Sequence, residues 1–391
     1  MAAVTPATVA ASIRTTFEDN FRLRGEAGAS VSVWRGGREL VLLAGGTRDR
    51  SGSLPWNEST LVLCWSATKG PSAACVLHAI EQAGLTPGDR VARVWPEFAT
   101  AGKQEATLGH LLTHAAGLPG LTELHASATD HEAVAAALAA AAPAWTPGAA
   151  HGYHPRTAGY LWDELVRRLT GRTLGSYWRT TFGDPMGLEF WIGLPESELP
   201  RVAEMLASRQ AQPPPESAEL YRDLARPGSL SRLAFHTPRD LQSIASMNTR
   251  AARMASLPAI GGIGTASALA QFYALLAGDG TWDGRRYFQP GTLEWMRRLR
   301  VSGPDRTLLA DTAFSAGFMM DPVNAAGAKI RSHFGPGPHS FGHPGAGGSH
   351  AFADPDHGIG FAYLMNQMEL GAFPSPRAMA LVQALNDALE P

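Results

Sequence analysis

The sequence predicts a two-lobed α/β fold, in which an antiparallel β-sheet flanked by helices is built from both ends of the chain and an all-α lobe is inserted between them. Three observations lead to this fold class. The 391 residues exceed the usual size of one hydrophobic core. Apolar segments with the pattern of strands occur only near the two ends of the chain. The part between them has helical periodicity, interrupted by proline and glycine.

The first elements are a helix, a hairpin and a second helix. Residues 1–20 have the pattern of an amphipathic helix rather than a signal peptide, because charged residues interrupt the apolar stretch. Residues 29–34 and 40–44 are apolar segments joined by a two-glycine turn, which predicts a β-hairpin. The next helix is predicted over residues 69–83, where a glycine follows as a terminator.

The middle of the chain and its C-terminal part differ in pattern. Helical periodicity in the middle predicts helices over residues 133–142, 158–169, 202–210 and 237–255. Strand patterns then return, and they predict strands over residues 313–320, 349–354 and 359–366, followed by a closing helix over residues 376–389. We therefore expect one α/β domain from residues 1–85 and 256–391, a mainly helical domain from residues 86–255, and an active site between the two.

Composition restricts the classes of function. The net charge of −2 provides no basic surface for nucleic acid, and no apolar stretch is long enough to span a membrane. Cys64 and Cys75 flank the same short predicted helix, and eleven residues along a helix span about 16 Å, which is too far for a disulfide. We therefore expect two packing cysteines in a reducing compartment and a cytoplasmic protein. We expect no cofactor, and the sequence leaves the oligomeric state open.

Ser66 and Lys69 are the strongest candidates for chemistry. They are three residues apart at the start of a predicted helix, so their side chains lie on one face, a turn apart. A serine hydroxyl is a weak nucleophile until a neighbouring base takes its proton, and Lys69 is placed to interact with it. The apolar residues before Ser66 and the small residues after Lys69 predict a buried, rigid seat for this pair.

Tyr153 is the candidate for a second proton-transfer group. It follows the turn Pro147-Gly148, so a loop presents it, and an apolar helix is predicted soon after. A phenol near a lysine ammonium has a lowered pKa, which would make Tyr153 a general base near neutral pH. The alternative is an ordinary packing tyrosine.

A glycine-rich segment over residues 341–349 is the third candidate element. Its backbone can approach a substrate closely, and an N–H of His343, Gly345 or Ala346 could pair with that of Ser66 to bind an oxyanion. The alternative is a plain bulge or loop.

Together these motifs resemble those of the serine β-lactamase-like family, which includes class C β-lactamases, D-stereospecific peptidases and family VIII carboxylesterases. The resemblance covers about residues 25–370. The five motifs that carry it, in order, are Ser66-Ala67-Thr68-Lys69, Leu111-Leu112-Thr113-His114-Ala115-Ala116-Gly117-Leu118, Tyr153 after Pro147-Gly148, Gly261-Gly262-Ile263-Gly264-Thr265 and His343-Pro344-Gly345. The resemblance implies a β-lactamase/transpeptidase-like fold, with Ser66 as acylated nucleophile, Lys69 as its partner and Tyr153 as proton shuttle.

Two departures from class C β-lactamases favour an esterase. Pro155 stands where they have an asparagine that contacts the amide side chain of the substrate. His343-Pro344 stands where they have a lysine and a threonine that hold the substrate carboxylate. Because a permanent cation and a hydroxyl are lost, the sequence favours a carboxylesterase of the family VIII type that acts on a small, uncharged, short-chain ester through an acyl-enzyme.

Several alternatives stay open. A β-lactamase or a D-stereospecific peptidase would use the same residues, as would an acyltransferase, and a ligand-binding protein could retain the fold without turnover. His110 and His114 are four residues apart, but no glutamate follows the first and no third ligand is evident, so we expect no metal. We expect His114 in the last turn of a helix. Residues 261–264 lack the lysine of a phosphate-binding loop and are expected to form a turn into a helix.

Overall fold

The computed structural model describes residues 6–122, 124 and 126–389. The α-helices are α1 (Pro6–Leu23), α2 (Lys69–Gln82), α3 (Leu108–Leu112), α4 (His131–Ala140), α5 (Thr157–Thr170), α6 (Leu174–Trp178), α7 (Ala218–Ala225), α8 (Leu230–His236), α9 (Ile244–Met247), α10 (Arg250–Met254), α11 (Ala266–Ala277), α12 (Pro290–Arg297) and α13 (Pro376–Leu389). The strands are β1 (Gly28–Arg35), β2 (Arg38–Gly46), β3 (Val62–Leu63), β4 (Phe190–Ile192), β5 (Gly262–Gly264), β6 (Thr281–Trp282), β7 (Arg285–Arg286), β8 (Val301–Pro304), β9 (Asp311–Phe314), β10 (Met319–Met320), β11 (Phe341–Pro344), β12 (His350–Asp354) and β13 (Ile359–Met365).

The main sheet joins the two ends of the chain, as the sequence predicts. Its eight strands are antiparallel in the order β2-β1-β13-β12-β11-β10-β9-β8, and β1 pairs directly with β13. Every residue of β12 and β13 is buried. Because side chains alternate between the two faces of a strand, both faces of the sheet must be covered at these positions. Helix α11 packs against β1, β12 and β13, and α1 packs against β2 and α13. The predicted fold class is confirmed.

A close approach between α11 and the sheet depends on a residue without a side chain. A Cβ atom at Gly360 in β13 would lie 2.1 Å from the carbonyl oxygen of Ala270 and 2.3 Å from the amide nitrogen of Ala274. Both partners are helix main-chain atoms, which cannot rotate away as a side chain can. Glycine at this position therefore sets the distance between α11 and β13.

A small second sheet connects the helical middle of the chain to the segment around Ser66. Its three strands lie in the order β3-β5-β4, and β4 belongs to the part of the chain predicted as a helical domain. Helix α2, which follows β3, packs against α5 and α6. The division into residues 1–85 plus 256–391 and residues 86–255 stays a prediction.

Several predicted elements agree closely with the structure. The hairpin of β1 and β2, the hairpin of β12 and β13, and helices α2, α4, α5 and α13 all lie where the patterns place them. Helix α1 is described from Pro6, so the first residues of the helix predicted over residues 1–20 lie outside the described residues. Cys64 and Cys75 are buried free thiols. In the part of the chain that the structure describes, no helix is long and apolar enough to cross a membrane.

Three predicted elements are wrong. Residues 202–210 are not helical, because Ala203 and Leu206 donate main-chain hydrogen bonds to Leu61 and Asn366 in distant segments. The predicted helix over residues 237–255 is replaced by the short α9 and α10. The side chains of Ser243 and Thr249 cap these two helices and so define separate starting points. The single strand predicted over residues 313–320 is instead the end of β9 and the whole of β10, which pair antiparallel and are joined by a turn over residues 315–318.

We expect the substitution Gly360→Ala to lower the free energy of unfolding by about 1–3 kcal/mol, since the added methyl group overpacks a contact made of main-chain atoms. Denaturant unfolding followed by circular dichroism measures this loss. Gly291→Ala in α12 is the matched control, because nothing lies within 4 Å of the new methyl group. Equal stabilities of the two variants would contradict the packing argument.

Candidate active site

Ser66 begins a sharp turn that leads directly into α2. The residue before it, Trp65, has φ 46° and ψ −131°, a conformation that is rare for any residue other than glycine. Strand β5 holds the turn from one side: Gly262 accepts a hydrogen bond from the Cys64 amide at 2.8 Å and donates one to the Thr68 hydroxyl at 2.8 Å. Backbone strain of this kind persists only where the surroundings fix it, so Ser66 is held in one place.

The side chain of Lys69 is completely buried, and its amine faces Ser66. The distance from Nζ to Ser66 Oγ is 3.3 Å. Nζ also donates hydrogen bonds to the carbonyl oxygens of Pro155 at 2.7 Å and Ala259 at 2.9 Å. No carboxylate in the described residues pairs with this amine. Burial, and secondly the charge of Arg156, hold the pKa of Lys69 well below its usual range.

The protonation state of Lys69 determines what this contact can do. A neutral amine has two N–H donors and one lone pair. The two carbonyl oxygens of Pro155 and Ala259 satisfy both donors. The lone pair is then left for the third neighbour, Ser66 Oγ, whose proton it can accept.

Tyr153 lies beside Lys69, but its phenol differs from the sequence-based expectation. The Lys69 amine is 4.8 Å from the centre of the Tyr153 ring. Burial raises the pKa of Tyr153 above its usual value, and the Ser66 side chain opposes this only in part. The prediction that the pKa of Tyr153 is lowered is therefore wrong, because the loss of water around the buried phenol outweighs the contacts that stabilise a phenolate.

Asp305 positions Tyr153 and is a residue that sequence reasoning missed. Its buried carboxylate accepts the Tyr153 N–H with both oxygens at 3.0 Å. It also accepts the amides of Thr307 and Leu308 at 2.8 Å and the hydroxyl of Thr312 at 3.0 Å. An aspartate in a turn is an ordinary loop signal, and nothing in the sequence connects it with a tyrosine about 150 positions earlier.

His343 lies on β11 beside Tyr153, with 5.6 Å between the ring centres. Its Nδ1 is 2.7 Å from the carbonyl oxygen of Pro344. Because a carbonyl can only accept, Nδ1 carries the proton and Nε2 is an unprotonated acceptor, which has no partner in the described residues. Burial is the main cause that lowers the pKa of His343 to about 3, so the ring is neutral near pH 7.

Gly345 and Ala346 follow His343 and approach Ser66 closely. A Cβ atom at Gly345 would lie 2.2 Å from the Cys64 carbonyl oxygen, so only glycine permits this approach. The Gly345 N–H donates to Ser349 at 2.6 Å and is not free to bind an oxyanion. Among the described residues, the N–H groups of Ser66 and Ala346 donate to no protein acceptor. The N–H groups of Ser66 and Ala346 are therefore the candidate oxyanion donors.

These side chains border a cavity of about 240 Å³. Its lining consists of Ser66, Tyr153, Leu220, Tyr221, Leu224, Phe235, Leu308, Met319, His343, Pro344, Gly345, Ala346, Gly371, Ala372 and Phe373. None of these is Asp, Glu, Lys or Arg. The apolar wall from α7, α8 and residues 371–373 was not predicted, because each segment has the pattern of an ordinary helix or loop.

A larger groove of about 860 Å³ lies across α7 and contains none of the predicted site residues.

The two histidines considered as metal ligands have separate structural roles. His110 Nδ1 accepts the Thr107 N–H at 3.2 Å and closes the first turn of α3. His114 lies beyond the end of that helix with φ 56°, so its predicted place in the last helical turn is wrong. Its Nδ1 accepts the His154 N–H at 3.2 Å. Within the described ranges, no three potential ligand side chains are grouped around a metal position.

Comparison with known proteins finds relatives over nearly the whole chain. Residues 15–386 match the Beta-lactamase family model. The chain is 31% identical over 364 residues to the esterase/beta-lactamase LipL of Mycobacterium tuberculosis, which covers 92% of this chain and 81% of LipL. Among solved structures, a penicillin-binding protein homolog from Caulobacter crescentus is 36% identical with a TM-score of 0.85, and 97% of each chain is covered. A family VIII carboxylesterase is 35% identical with a TM-score of 0.84, again over 97% of each chain.

We expect Lys69→Met to change how stability depends on pH. Since the folded protein holds Lys69 neutral, the unfolded chain binds one more proton at any pH between the lowered pKa and the ordinary value near 10.4. The wild type should therefore lose stability relative to Lys69→Met as pH falls through this window, by about 1.4 kcal/mol per pH unit.

Denaturant unfolding at a series of pH values measures this difference. Ser66→Ala is the matched control, because it alters the same contact and keeps the amine. A stability difference between the wild type and Lys69→Met that does not vary with pH would contradict a neutral Lys69.

Proposed function

The chain belongs to the beta-lactamase family. From that premise, we propose that it is a serine carboxylesterase. It hydrolyses short, uncharged esters through an acyl-enzyme on Ser66. At the coarser level it is a hydrolase of the β-lactamase fold, a group in which its relatives are named as esterases. The observation that carries the finer proposal is the 3.3 Å separation between Ser66 Oγ and the buried amine of Lys69.

In the acylation step, Lys69 takes the proton of the Ser66 hydroxyl, and Oγ attacks the ester carbonyl carbon. The negative charge that develops on the carbonyl oxygen is bound by the N–H groups of Ser66 and Ala346. As the bond to the alcohol breaks, the phenol of Tyr153 protonates the departing oxygen. The Lys69 ammonium then returns its proton to Tyr153, so both groups regain their starting states.

Deacylation repeats these steps with water in place of the alcohol. Water loses a proton to Lys69 as its oxygen attacks the acyl carbon, and the same two N–H groups bind the negative charge. The bond to Ser66 Oγ breaks, Tyr153 protonates Oγ, and the carboxylic acid leaves. The raised pKa of Tyr153 keeps the phenol protonated, so that it has a proton to donate, and the lowered pKa of Lys69 increases the fraction of neutral amine that can accept one.

The cavity supports a small, neutral substrate. No charged side chain lines it, and His343 is neutral near pH 7. Pro155, where class C β-lactamases have an asparagine, contributes only its carbonyl oxygen, and Lys69 already occupies that oxygen. The volume of about 240 Å³ is below the roughly 300–1,000 Å³ of common ligand pockets. A carboxylate in this cavity would lose its hydration and gain no cation.

Other uses of the same residues are distinguished by the substrate panel. A β-lactamase or a D-stereospecific peptidase would turn over carboxylate-bearing substrates faster than esters. An acyltransferase would form a new ester when an alcohol is added. A binding protein would turn over none of them. A cytoplasmic location stays a prediction from the sequence.

We expect the wild type to hydrolyse p-nitrophenyl acetate and butyrate faster than the octanoate ester and faster than a chromogenic cephalosporin. Ser66→Ala should abolish turnover and labelling by a fluorophosphonate. Lys69→Ala and Tyr153→Phe should each lower kcat by roughly 10²- to 10⁴-fold, the usual cost of losing a positioned proton-transfer group.

Ser340→Ala is the control for these variants, since Ser340 is a buried serine whose hydroxyl has no partner in the described residues. It should remain active and labelled. Faster turnover of the cephalosporin by the wild type, or labelling that persists in Ser66→Ala, would overturn the proposal.

His343→Lys should shift preference toward substrates that bear a carboxylate. A charge-assisted hydrogen bond is worth about 1.5–3 kcal/mol, so the ratio of kcat/KM for a cephalosporin to that for p-nitrophenyl butyrate should rise about tenfold to a hundredfold. His343→Gln, which adds no charge, is the control and should leave the ratio near the wild-type value. An unchanged ratio in an active His343→Lys enzyme would contradict the role assigned to His343.

A further inference from the structure

The turn Ala346–Gly348, which contains a proposed oxyanion donor, is supported from behind by a separate segment of chain. Gly347 and Gly348 have φ values of 85° and 131°, which other residues rarely adopt. A Cβ atom at Gly347 would lie 2.6 Å from Met368 Cγ, and one at Gly348 would lie 2.8 Å from Ser375 Oγ. The Glu369 N–H donates to the Gly347 carbonyl oxygen at 3.0 Å. Residues 366–375, between β13 and α13, therefore form a backing for this turn.

Residues 366–375 have no regular secondary structure of their own through most of their length, and contacts with other segments fix their position. The Met368 N–H donates to the Leu206 carbonyl oxygen, and the Leu370 N–H donates to the Gln210 side chain. A further contact, next to the residues that touch the turn, comes from the guanidinium of Arg377, whose side chain is completely buried. Its Nε lies 3.3 Å from Glu369 Oε1, and Nη2 donates to the carbonyl oxygen of Gln367. Its Nη1 lies 2.8 Å from Glu26 Oε1, in a carboxylate that also accepts the hydroxyl of Tyr363.

Arg377 thus holds the backing segment on both sides of Met368. The planar guanidinium donates a hydrogen bond to the Gln367 carbonyl oxygen on one side and forms an ion pair with the Glu369 carboxylate on the other. Glu369 connects the two ends of the path, because its carboxylate contacts Arg377 and its amide contacts Gly347. Arg377 is therefore joined to the turn by a single intermediate residue.

We propose that Arg377 is a positioning residue that fixes the Ala346–Gly348 turn through Glu369 and so aims the Ala346 N–H at the developing oxyanion. This inference rests on the proposed esterase function for its chemical consequence. Its structural part, the dependence of the turn on Arg377, does not. When the guanidinium is removed, the Glu369 carboxylate loses its cation, and the bond from its amide to Gly347 should weaken.

The test compares an oxygen ester with its thionoester in Arg377→Met and in Arg377→Lys. Sulfur accepts hydrogen bonds poorly, so turnover of a thionoester depends little on oxyanion donors. We expect Arg377→Met to lower kcat for the oxygen ester about tenfold to a hundredfold, with KM little changed and the preference for oxygen over sulfur reduced. Arg377→Lys, which keeps a cation, should retain more of that preference.

Two further variants separate this role from general loss of structure. Glu369→Ala breaks the same path while the pair of Arg377 and Glu26 remains, and it should reduce the preference in the same way even if Arg377→Met does not fold. Arg297→Met is the matched control, because Arg297 also holds main-chain carbonyl oxygens but at the end of α11. It should leave the ratio of oxygen ester to thionoester unchanged.

Amide hydrogen exchange supplies a readout that does not need turnover. In Arg377→Met and Glu369→Ala, the amides of Gly345, Gly348 and Glu369, all hydrogen-bonded in the wild type, should exchange faster than in Arg297→Met. Unchanged exchange and an unchanged oxygen preference in folded Glu369→Ala would overturn the inference. If the wild type hydrolyses no ester, the proposed function fails, and exchange alone then decides whether Arg377 fixes the turn.

Discussion

The amine of Lys69 lies in the protein interior, where two main-chain carbonyl oxygens and one serine hydroxyl surround it. An ammonium ion without a counter-charge is costly there, so burial holds the pKa of Lys69 well below its usual range and favours the neutral amine. A neutral amine with both N–H donors occupied can act toward Ser66 only as an acceptor. In the proposed mechanism, the direction of proton transfer from Ser66 to Lys69 follows from burial and from the positions of Pro155 and Ala259.

The rest of the fold places groups around this amine. The small sheet of β3, β4 and β5 fixes the strained turn at Trp65, and the main sheet brings β11 against the same turn at the contact between Gly345 and Cys64. Asp305 holds the main chain of Tyr153 from the outer side. Each support comes from a different part of the sequence, so the site exists only when both ends of the chain have come together.

Local patterns predicted much of the fold and the contact between Ser66 and Lys69 in the candidate site. Ser66 and Lys69 are close in sequence, and short-range periodicity located the two hairpins and α13. The predictions that were wrong concern features that depend on residues distant in the sequence. Residues 202–210 look helical by composition but pair with Leu61 and Asn366. The pKa of Tyr153 changes in the opposite direction because burial, which no local pattern reports, outweighs its neighbours. Asp305 and the apolar wall from α7 and α8 were missed for the same reason.

The most direct test of this account is the protonation state of Lys69, read from the ¹⁵Nζ and ¹³Cε signals of lysine-labelled protein during a pH titration. The chain has three lysines, Lys69, Lys103 and Lys329, so substituting each in turn assigns every signal. We expect the Lys69 signals to change from those of an ammonium to those of a neutral amine well below the ordinary lysine pKa of about 10.4. Ammonium shifts that persist to about pH 10 would contradict it, and Ser66 would then need another base.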